Sequence, residues 1–177
     1  FLFPYDWRKD ISLTSPLLDE KINAIKTQTG NTKVDIIAHS MGGLVARNYI
    51  NDTSRASKVR KLFTIGTPHL GSVNSLKAII HGDCLKYPVG SYCLSLAPSE
   101  MKDVIQNMIS GFELVPSQKY FDFYSGEDTN HPYPYKTEAG SLSYTQIKNL
   151  LTDLGHNTSL FNPSSFSISQ IFISNIL

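Results

Sequence analysis

The chain has 177 residues, of which 41% are hydrophobic, and its formal net charge at pH 7 is +1. This length and hydrophobic content suit a soluble globular domain with a buried core and argue against a largely disordered chain. Lys and Arg are scattered, so we expect no nucleic-acid partner. No apolar run is long enough to span a bilayer, and the first residues lack the features of a signal peptide, so we expect the chain to start inside a domain.

The first thirty residues predict a strand end, a turn and a helix. Residues 1–3 are aromatic and apolar and are stopped by Pro4, and residues 5–8, Tyr-Asp-Trp-Arg, follow as a polar and aromatic turn. Ser15 and Pro16 form a typical helix start, and an apolar side continues to a stop at Gly30. Loops at the carboxyl ends of strands build binding and catalytic sites in open α/β sheets. We therefore expect residues 5–8 to lie near such a site.

Residues 33–47 predict a strand, a very tight turn at Ser40 and then a helix. The strand is apolar enough to be covered on both faces, as its side chains Val34, Ile36 and Ile37 indicate. In a nucleophile elbow the residues two before and two after the nucleophile come close together and must be small. Here they are Ala38 and Gly42.

This pattern predicts that Ser40 is a catalytic nucleophile. The N–H of Met41 is predicted to donate to an oxyanion, since the positive end of the following helix faces the same place. The alternative is an ordinary strand-to-helix turn of a doubly wound sheet, in which Ser40 only caps the helix.

A further short strand is predicted at residues 59–65 and ends at Gly66. The alternation of strand and helix indicates an α/β fold with a parallel sheet. The loop at residues 66–72, Gly-Thr-Pro-His-Leu-Gly-Ser, falls where the catalytic edge of such a sheet is expected.

Four stretches in order resemble lipase-type α/β hydrolases, most closely the lecithin:cholesterol acyltransferase-like family. They are Pro-Tyr-Asp-Trp-Arg at 4–8, Ala-His-Ser-Met-Gly-Gly-Leu-Val-Ala-Arg at 38–47, Ile-Gly-Thr-Pro-His-Leu-Gly-Ser at 65–72 and Phe-Glu-Leu-Val-Pro-Ser-Gln-Lys-Tyr-Phe at 112–121. The match is clear to about Phe121 and loose over residues 122–165. The resemblance implies a three-layer α/β-hydrolase sheet and serine-dependent acyl-ester chemistry on lipids, as acyltransferase or as lipase or phospholipase.

The resemblance also implies a domain organisation. We expect the central part of one α/β-hydrolase domain, truncated at both ends: sheet strands, nucleophile elbow and helices at 1–72, a helical cap or lid insertion at 73–165, and the next sheet strand at 166–177. The acid and His of the family's triad, and the loop that gives its second oxyanion donor, have no match and are expected outside the chain. A compact triad is the competing possibility, drawn from Asp122, Asp128 or Asp153 with His131 or His156.

Two histidines are associated with the predicted site: His39 precedes Ser40 in sequence, and His69 lies in the loop at 66–72. By resemblance, His69 belongs to a loop that shapes the pocket floor, so we expect it to be structural rather than the catalytic base. The side chain of His39 would leave the turn in another direction from Ser40, and we expect it to pack.

Residues 98–110 predict one helix with an apolar stripe, formed by Met101, Val104, Ile105, Met108 and Ile109. Two interpretations remain open: a helix packed on the core, or a lid that lines an acyl-chain site.

Other features leave the setting of the protein undecided. Cys84 and Cys93 could form a local disulfide in an oxidising compartment or remain two buried thiols. No cofactor and no metal site is predicted. The expected partner is a lipid or other acyl-ester substrate, with transient contact to a membrane or lipid surface, in a secreted or membrane-associated setting. The hypothesis from another class is a non-catalytic lipid-binding or degenerate hydrolase-like protein.

Overall fold

The computed structural model describes residues 1–82, 98–123, 136–137 and 140–154, which form two compact units, Phe1–His69 and Leu70–Leu177. No helix among these residues is both long and apolar enough to cross a membrane. Cys84, Cys93 and the strand predicted at 166–177 lie outside the described residues. The elements are α1 (Ile11–Thr29), β1 (Val34–His39), α2 (Gly42–Ile50), α3 (Thr53–Ala56), β2 (Val59–Ile65), α4 (Val73–His81), α5 (Pro98–Ile105), α6 (Ile109–Glu113), α7 (Gln118–Phe123), β3 (Lys136–Thr137), β4 (Gly140–Ser141) and α8 (Tyr144–Asp153).

The first unit is a small parallel sheet with helices packed on it. β1 and β2 run parallel, with Val34 opposite Val59 at one end and His39 opposite Ile65 at the other. α2 contacts both strands, and α1 packs against α2. The prediction of an α/β fold with a parallel sheet is therefore confirmed, and β2 has the predicted bounds.

One face of this sheet is covered and the other is exposed. Burial alternates along β1, as side chains of a strand point to opposite faces. Ile37 is 74% exposed, and Phe63 and Ile65 on β2 are also exposed. The prediction that Ile37 would be buried is wrong, because its position on the strand places it on the face opposite Val34 and Ile36. Within the described residues the sheet has two strands, and a full three-layer arrangement is not seen.

The N-terminal segment differs from the prediction. Residues 1–3 form no strand. α1 begins at Ile11 rather than at Ser15, since the Asp10 carboxylate accepts a hydrogen bond from the N–H of Ser12 at 2.7 Å and caps the helix. Pro16 lies inside the helix, which ends as predicted at Gly30, a glycine with a left-handed φ of 71°.

A half-buried carboxylate joins α1 to α2 and to the segment before β2. Asp19 accepts hydrogen bonds from the hydroxyl of Tyr49 at 2.7 Å and from Lys58 Nζ at 2.7 and 3.0 Å. Burial on its own opposes ionisation of Asp19, but the hydrogen bonds from Lys58 and Tyr49 hold its pKa below the usual value. Burial, together with the hydrogen bond to Asp19, raises the pKa of Tyr49, so its hydroxyl stays protonated.

We expect the Asp19→Asn variant to lose about 1 to 3 kcal/mol of stability at pH 7, because it removes the charge that Lys58 and Tyr49 bind. A carboxyl with a depressed folded pKa stabilises the fold above its unfolded pKa and loses that contribution as the pH falls through the folded pKa. The free energy of unfolding, measured by urea melts between about pH 5 and pH 2, should therefore fall less steeply in Asp19→Asn than in the unchanged protein. Asp153→Asn, an exposed position, is the control. Equal slopes in all three proteins would contradict this role for Asp19.

The second unit is helical around its own apolar core. The cluster is made of side chains from α4, α6, α7, α8 and the loop after α6: Leu76, Ile79, Ile80, Phe112, Val115, Phe121, Ile147 and Leu151. The apolar residues from Tyr144 to Leu154 recur at helical spacing and predict α8. The helix begins with a capping box in which Ser143 and Gln146 hydrogen-bond to each other's backbone.

The single helix predicted at 98–110 is interrupted. α5 ends at Ile105, and α6 begins at Ile109 after a turn. Ile105 packs against the core cluster and Met108 is 7% exposed, whereas Val104 is 44% exposed. The core of this unit therefore accounts for the burial of Ile105 and Met108.

The sequence motifs at residues 65–72 and 112–121 contact each other in the second unit. The N–H of Ser72 donates to the carbonyl of Leu114 at 2.6 Å, and the N–H of Ser117 donates to the carbonyl of Leu70 at 2.9 Å. Between them Gly71 has a φ of 103°, and a Cβ there would lie 2.5 Å from the Cα of Pro116. Glycine is needed at this position both for its backbone angle and for the close approach of the two segments.

Candidate active site

The turn between β1 and α2 holds Ser40 in a strained backbone conformation. Its φ is 53°, and no other non-glycine residue in the described part of the chain has a positive φ. The N–H of Ser40 donates to the carbonyl of Ile65 at 2.9 Å, and the carbonyl of Ser40 accepts from the N–H of Gly43 at 3.0 Å. Ser40 is exposed. The strained residue is thus fixed on both sides while its side chain remains accessible.

The start of α2 offers free backbone donors beside Ser40. Among the hydrogen bonds between described residues, none uses the N–H of Met41 or of Gly42. The side chain of Met41 is 9% exposed and anchors this end of the helix in the core. Because a helix begins here, the positive end of its dipole and these N–H groups favour negative charge next to Ser40.

Close packing behind the turn depends on Gly43. A Cβ on Gly43 would lie 2.7 Å from Thr67 Cγ2 and would also overlap the hydroxyl of Thr67. That hydroxyl is buried and has no hydrogen-bond partner among the described residues, so packing alone holds Thr67 against the helix. The sequence assigned the need for a small residue to Gly42, but a Cβ there would meet only the Tyr5 hydroxyl at 3.8 Å, an ordinary contact.

These two neighbouring glycines provide a matched test of the packing. Gly43→Ala should destabilise the protein by about 1 to 3 kcal/mol, because the added methyl group pushes Thr67 away from α2. Gly42→Ala should be neutral or stabilising by up to about 1 kcal/mol, since Ala is the better helix former. Denaturant melts of the two variants measure the difference, and equal midpoints would show that Thr67 yields without cost.

Tyr5, the first residue of the turn at residues 5–8, lies beside the start of α2. The Tyr5 hydroxyl approaches Gly42, and the Tyr5 ring stacks on Phe3 with centroids 6.0 Å apart. Arg8 donates to both carboxylate oxygens of Asp6, at 2.8 and 2.9 Å. This pairing lowers the pKa of Asp6 to about 2 and raises the pKa of Arg8. The ion pair is exposed and contributes little to stability, but it fixes the shape of the turn.

A cavity of about 570 Å³ lies in the first unit. It is lined by residues 1–3, by apolar side chains of α1, by the length of β1 and by Gly42, Val45 and Ala46 of α2. Tyr5 and His39 also line it, so it reaches the neighbourhood of the Ser40 turn. Its volume is within the range of small-molecule sites.

Neither nearby histidine is hydrogen-bonded to Ser40. No hydrogen bond between described residues joins the Ser40 hydroxyl to an imidazole or a carboxylate. His69 Nε2 lies 3.3 Å from Thr64 Oγ1, and burial, with the charge of Arg47, lowers the pKa of His69. These contacts fit the structural role predicted for His69. His39 is exposed rather than packed, because it lies two residues after Ile37 on the exposed face of β1.

The residues of the alternative compact triad are only partly described. Asp122 lies on α7, where its carboxylate accepts a hydrogen bond from Gln118 at 2.8 Å, and Asp153 is exposed at the end of α8. Asp128, His131 and His156 lie outside the described residues. In the described part of the chain no three His, Cys, Asp or Glu side chains come together as a group that could hold a metal ion.

The fold and the strand–turn–helix around Ser40 define an α/β protein with a serine at the carboxyl end of a parallel strand. The family model for lecithin:cholesterol acyltransferase matches residues 1–153, and the chain belongs to this family. The resemblance drawn from the sequence motifs is therefore confirmed.

Two individual proteins are also similar. The chain is 37% identical over 67 residues to the uncharacterized protein YJR098C of Saccharomyces cerevisiae, a match that covers 37% of this chain and 10% of the yeast protein. A chain in the crystal structure of the Tle4–Tli4 complex aligns with a TM-score of 0.51 at 18% identity, over 93% of this chain and 39% of that chain. This second likeness concerns the fold alone. The chain thus spans well under half the length of either protein.

Proposed function

We propose that the protein performs serine-dependent acyl-ester chemistry on lipids, with Ser40 as the nucleophile. The observation that carries this proposal is the exposed Ser40 at a φ of 53°, between a parallel strand and a helix whose first N–H groups have no partner among the described residues. A serine adopts a left-handed backbone only where the surrounding structure enforces it, and such strain concentrates at functional sites. Membership of the lecithin:cholesterol acyltransferase family supports lipids as the substrate class.

In the acylation step, Ser40 Oγ forms a bond to the ester carbonyl carbon, and the π electrons of the carbonyl move to its oxygen. The hydroxyl proton passes to a general base, which we expect to be a histidine outside the described residues. The N–H of Met41 donates to the oxyanion. When the carbonyl re-forms, the bond to the alcohol oxygen breaks, and that oxygen takes the proton back from the base. An acyl-enzyme and a free alcohol result.

The second step decides between hydrolase and acyltransferase. Water attacking the acyl-enzyme releases a fatty acid, whereas a lipid alcohol forms a new ester. The same residues serve both acceptors, so we propose the shared acyl-enzyme route and leave the acceptor to product analysis in the presence of an added alcohol.

We further propose that this chain forms the central part of an α/β-hydrolase domain, with a cap or lid in residues 73–165 that contacts the lipid. Val104 on α5 supports the second point, because it is an exposed apolar side chain on a helix from which Ile105 packs against the core. The competing function is a non-catalytic lipid-binding protein that keeps the Ser40 turn for packing.

The Ser40→Ala variant should lose hydrolysis of acyl esters by about 10⁶-fold while remaining folded, because no other group in the turn can act as nucleophile. The unchanged protein should also be labelled at Ser40 by a fluorophosphonate. Ser12→Ala, at an exposed serine of the same unit, is the control and should keep both properties. Lipid binding without labelling or turnover in the unchanged protein would favour the non-catalytic function instead.

Turnover measured against the chain length of the ester distinguishes the two interpretations of residues 98–110, a core helix or a lid that lines an acyl-chain site. Ile105→Ser with Met108→Ser should lower stability by about 2 to 5 kcal/mol for each side chain and reduce turnover of all ester lengths alike, because both side chains are used in the core. Val104→Ser should leave the melt unchanged and slow long-chain esters by up to about tenfold relative to short ones, if Val104 buries acyl methylenes worth about 0.8 kcal/mol each.

The opposite pattern would overturn this assignment. If the Ile105 and Met108 changes selectively slowed long-chain esters without lowering the denaturant midpoint, those two side chains would line the acyl site.

A further inference from the structure

We propose that Asn51 is an attachment site for an N-linked glycan. Residues 51–53, Asn-Asp-Thr, match the acceptor sequence, in which an asparagine is followed by any residue except proline and then by serine or threonine. The structural context that this short pattern requires is an exposed surface segment. Such a modification is independent of the reaction proposed at Ser40.

The acceptor sequence lies in an exposed junction between two helices. Asn51 follows the last residue of α2, and Thr53 is the first residue of α3. Asn51, Asp52 and Thr53 are all exposed. The fold therefore has room for a sugar on the side chain of Asn51.

The backbone of Asn51 is held by hydrogen bonds, whereas its side chain is not used. The N–H of Asn51 donates to the carbonyls of Arg47 and Asn48, at 3.2 and 3.3 Å. The amide of Asn51 has no hydrogen-bond partner in the described part of the chain, and neither has the hydroxyl of Thr53. Both groups that define the acceptor sequence are therefore accessible.

The middle residue of the acceptor sequence has a separate role. The carboxylate of Asp52 caps α3, because it accepts hydrogen bonds from the N–H groups of Ser54 and Arg55 at 2.8 and 3.2 Å. It also accepts from the hydroxyl of Ser54 at 2.6 Å. The carboxylate of Asp52 is thus directed to α3 and makes no hydrogen bond to the amide of Asn51.

Other asparagine amides are engaged within the protein. The amide of Asn23 donates to the carboxylate of Asp19 at 3.1 Å, and that of Asn107 donates to the carbonyl of Asp103 at 2.7 Å. Neither of these asparagines begins an acceptor sequence. Asn51 combines the sequence pattern with an exposed amide that the fold does not use.

The modification exchanges one bond for another. Nδ2 of Asn51 bonds to the anomeric carbon of a sugar carried by a lipid-linked oligosaccharide donor. The bond from that carbon to the phosphate oxygen breaks, the lipid diphosphate leaves, and the amide loses one proton. A donor and transferase of this kind act on proteins that enter the secretory pathway.

The position of the site fits both the proposed reaction and a secreted setting. α2 has nine residues and is about 14 Å long at 1.5 Å per residue, and Asn51 follows its end opposite to Ser40. A glycan there leaves the Ser40 turn accessible. It would also place the chain in an oxidising compartment, where a disulfide between Cys84 and Cys93 could form.

The test is peptide-level mass spectrometry of the full-length protein isolated from its own cells. Enzymatic release of N-linked glycans in heavy-oxygen water converts a glycosylated asparagine to a labelled aspartate. We expect the label at Asn51 and not at Asn31, which is exposed but begins no acceptor sequence. Asn51 unlabelled in all molecules would overturn the proposal.

Variants of the neighbouring hydroxyl residues, expressed in the same cells, test whether the acceptor sequence directs the attachment. Thr53→Ala should abolish the label at Asn51, whereas Thr53→Ser should keep it because the hydroxyl is retained. Ser54→Ala is the control, since it leaves residues 51–53 unchanged, and it should keep the label. A label at Asn51 that persists in Thr53→Ala would contradict the assignment of residues 51–53 as the acceptor sequence.

Discussion

The left-handed backbone at Ser40 is the constraint on which the rest of the first unit depends. A serine at a φ of 53° is unfavourable unless its neighbours hold it, and they do so from both sides of the turn. β2 supplies the carbonyl of Ile65 to the Ser40 N–H, and the loop after β2 presses Thr67 into the space left by Gly43. The motif at residues 65–72 therefore contributes a backbone hydrogen bond and close packing to the Ser40 turn. Its conspicuous histidine, His69, is turned to Thr64.

The sequence pattern was sufficient to predict those helices and strands whose formation depends on neighbouring residues in the chain. The strand at Val59–Ile65 and the helix at Tyr144–Asp153 follow from apolar periodicity with clear stops or caps at their ends. The start of α1 was missed because Asp10 competes with Ser15 as a cap, and both are good cap residues. The break after Ile105 was missed because apolar residues continue at helical spacing through it, although the backbone of Met108 is extended, with a φ of −105° and a ψ of 117°.

The candidate site was predictable in its centre and not in its surroundings. Ser40 and Met41 could be proposed because the turn imposes small residues within two positions, which is visible in the sequence. The contacts of Gly43 with Thr67 and of Gly42 with Tyr5 join residues far apart along the chain. Their identity depends on strand register and helix placement, so neither composition nor spacing could have indicated that Gly43, rather than Gly42, is the position without space for a side chain.

Helix α2 connects the strained turn at Ser40 to the half-buried ion pair of Asp19 and Lys58. The first residues of α2 are held by Thr67 and face Tyr5, while Tyr49 near its other end is bound to Asp19, which also binds Lys58. These contacts at the far end of α2 stabilise the packing of the helix on the rest of the unit without approaching the Ser40 turn. Strain at a site persists only where the surrounding structure over-determines it. The ionised Asp19 therefore contributes part of the folding free energy that offsets the unfavourable backbone conformation of the exposed Ser40.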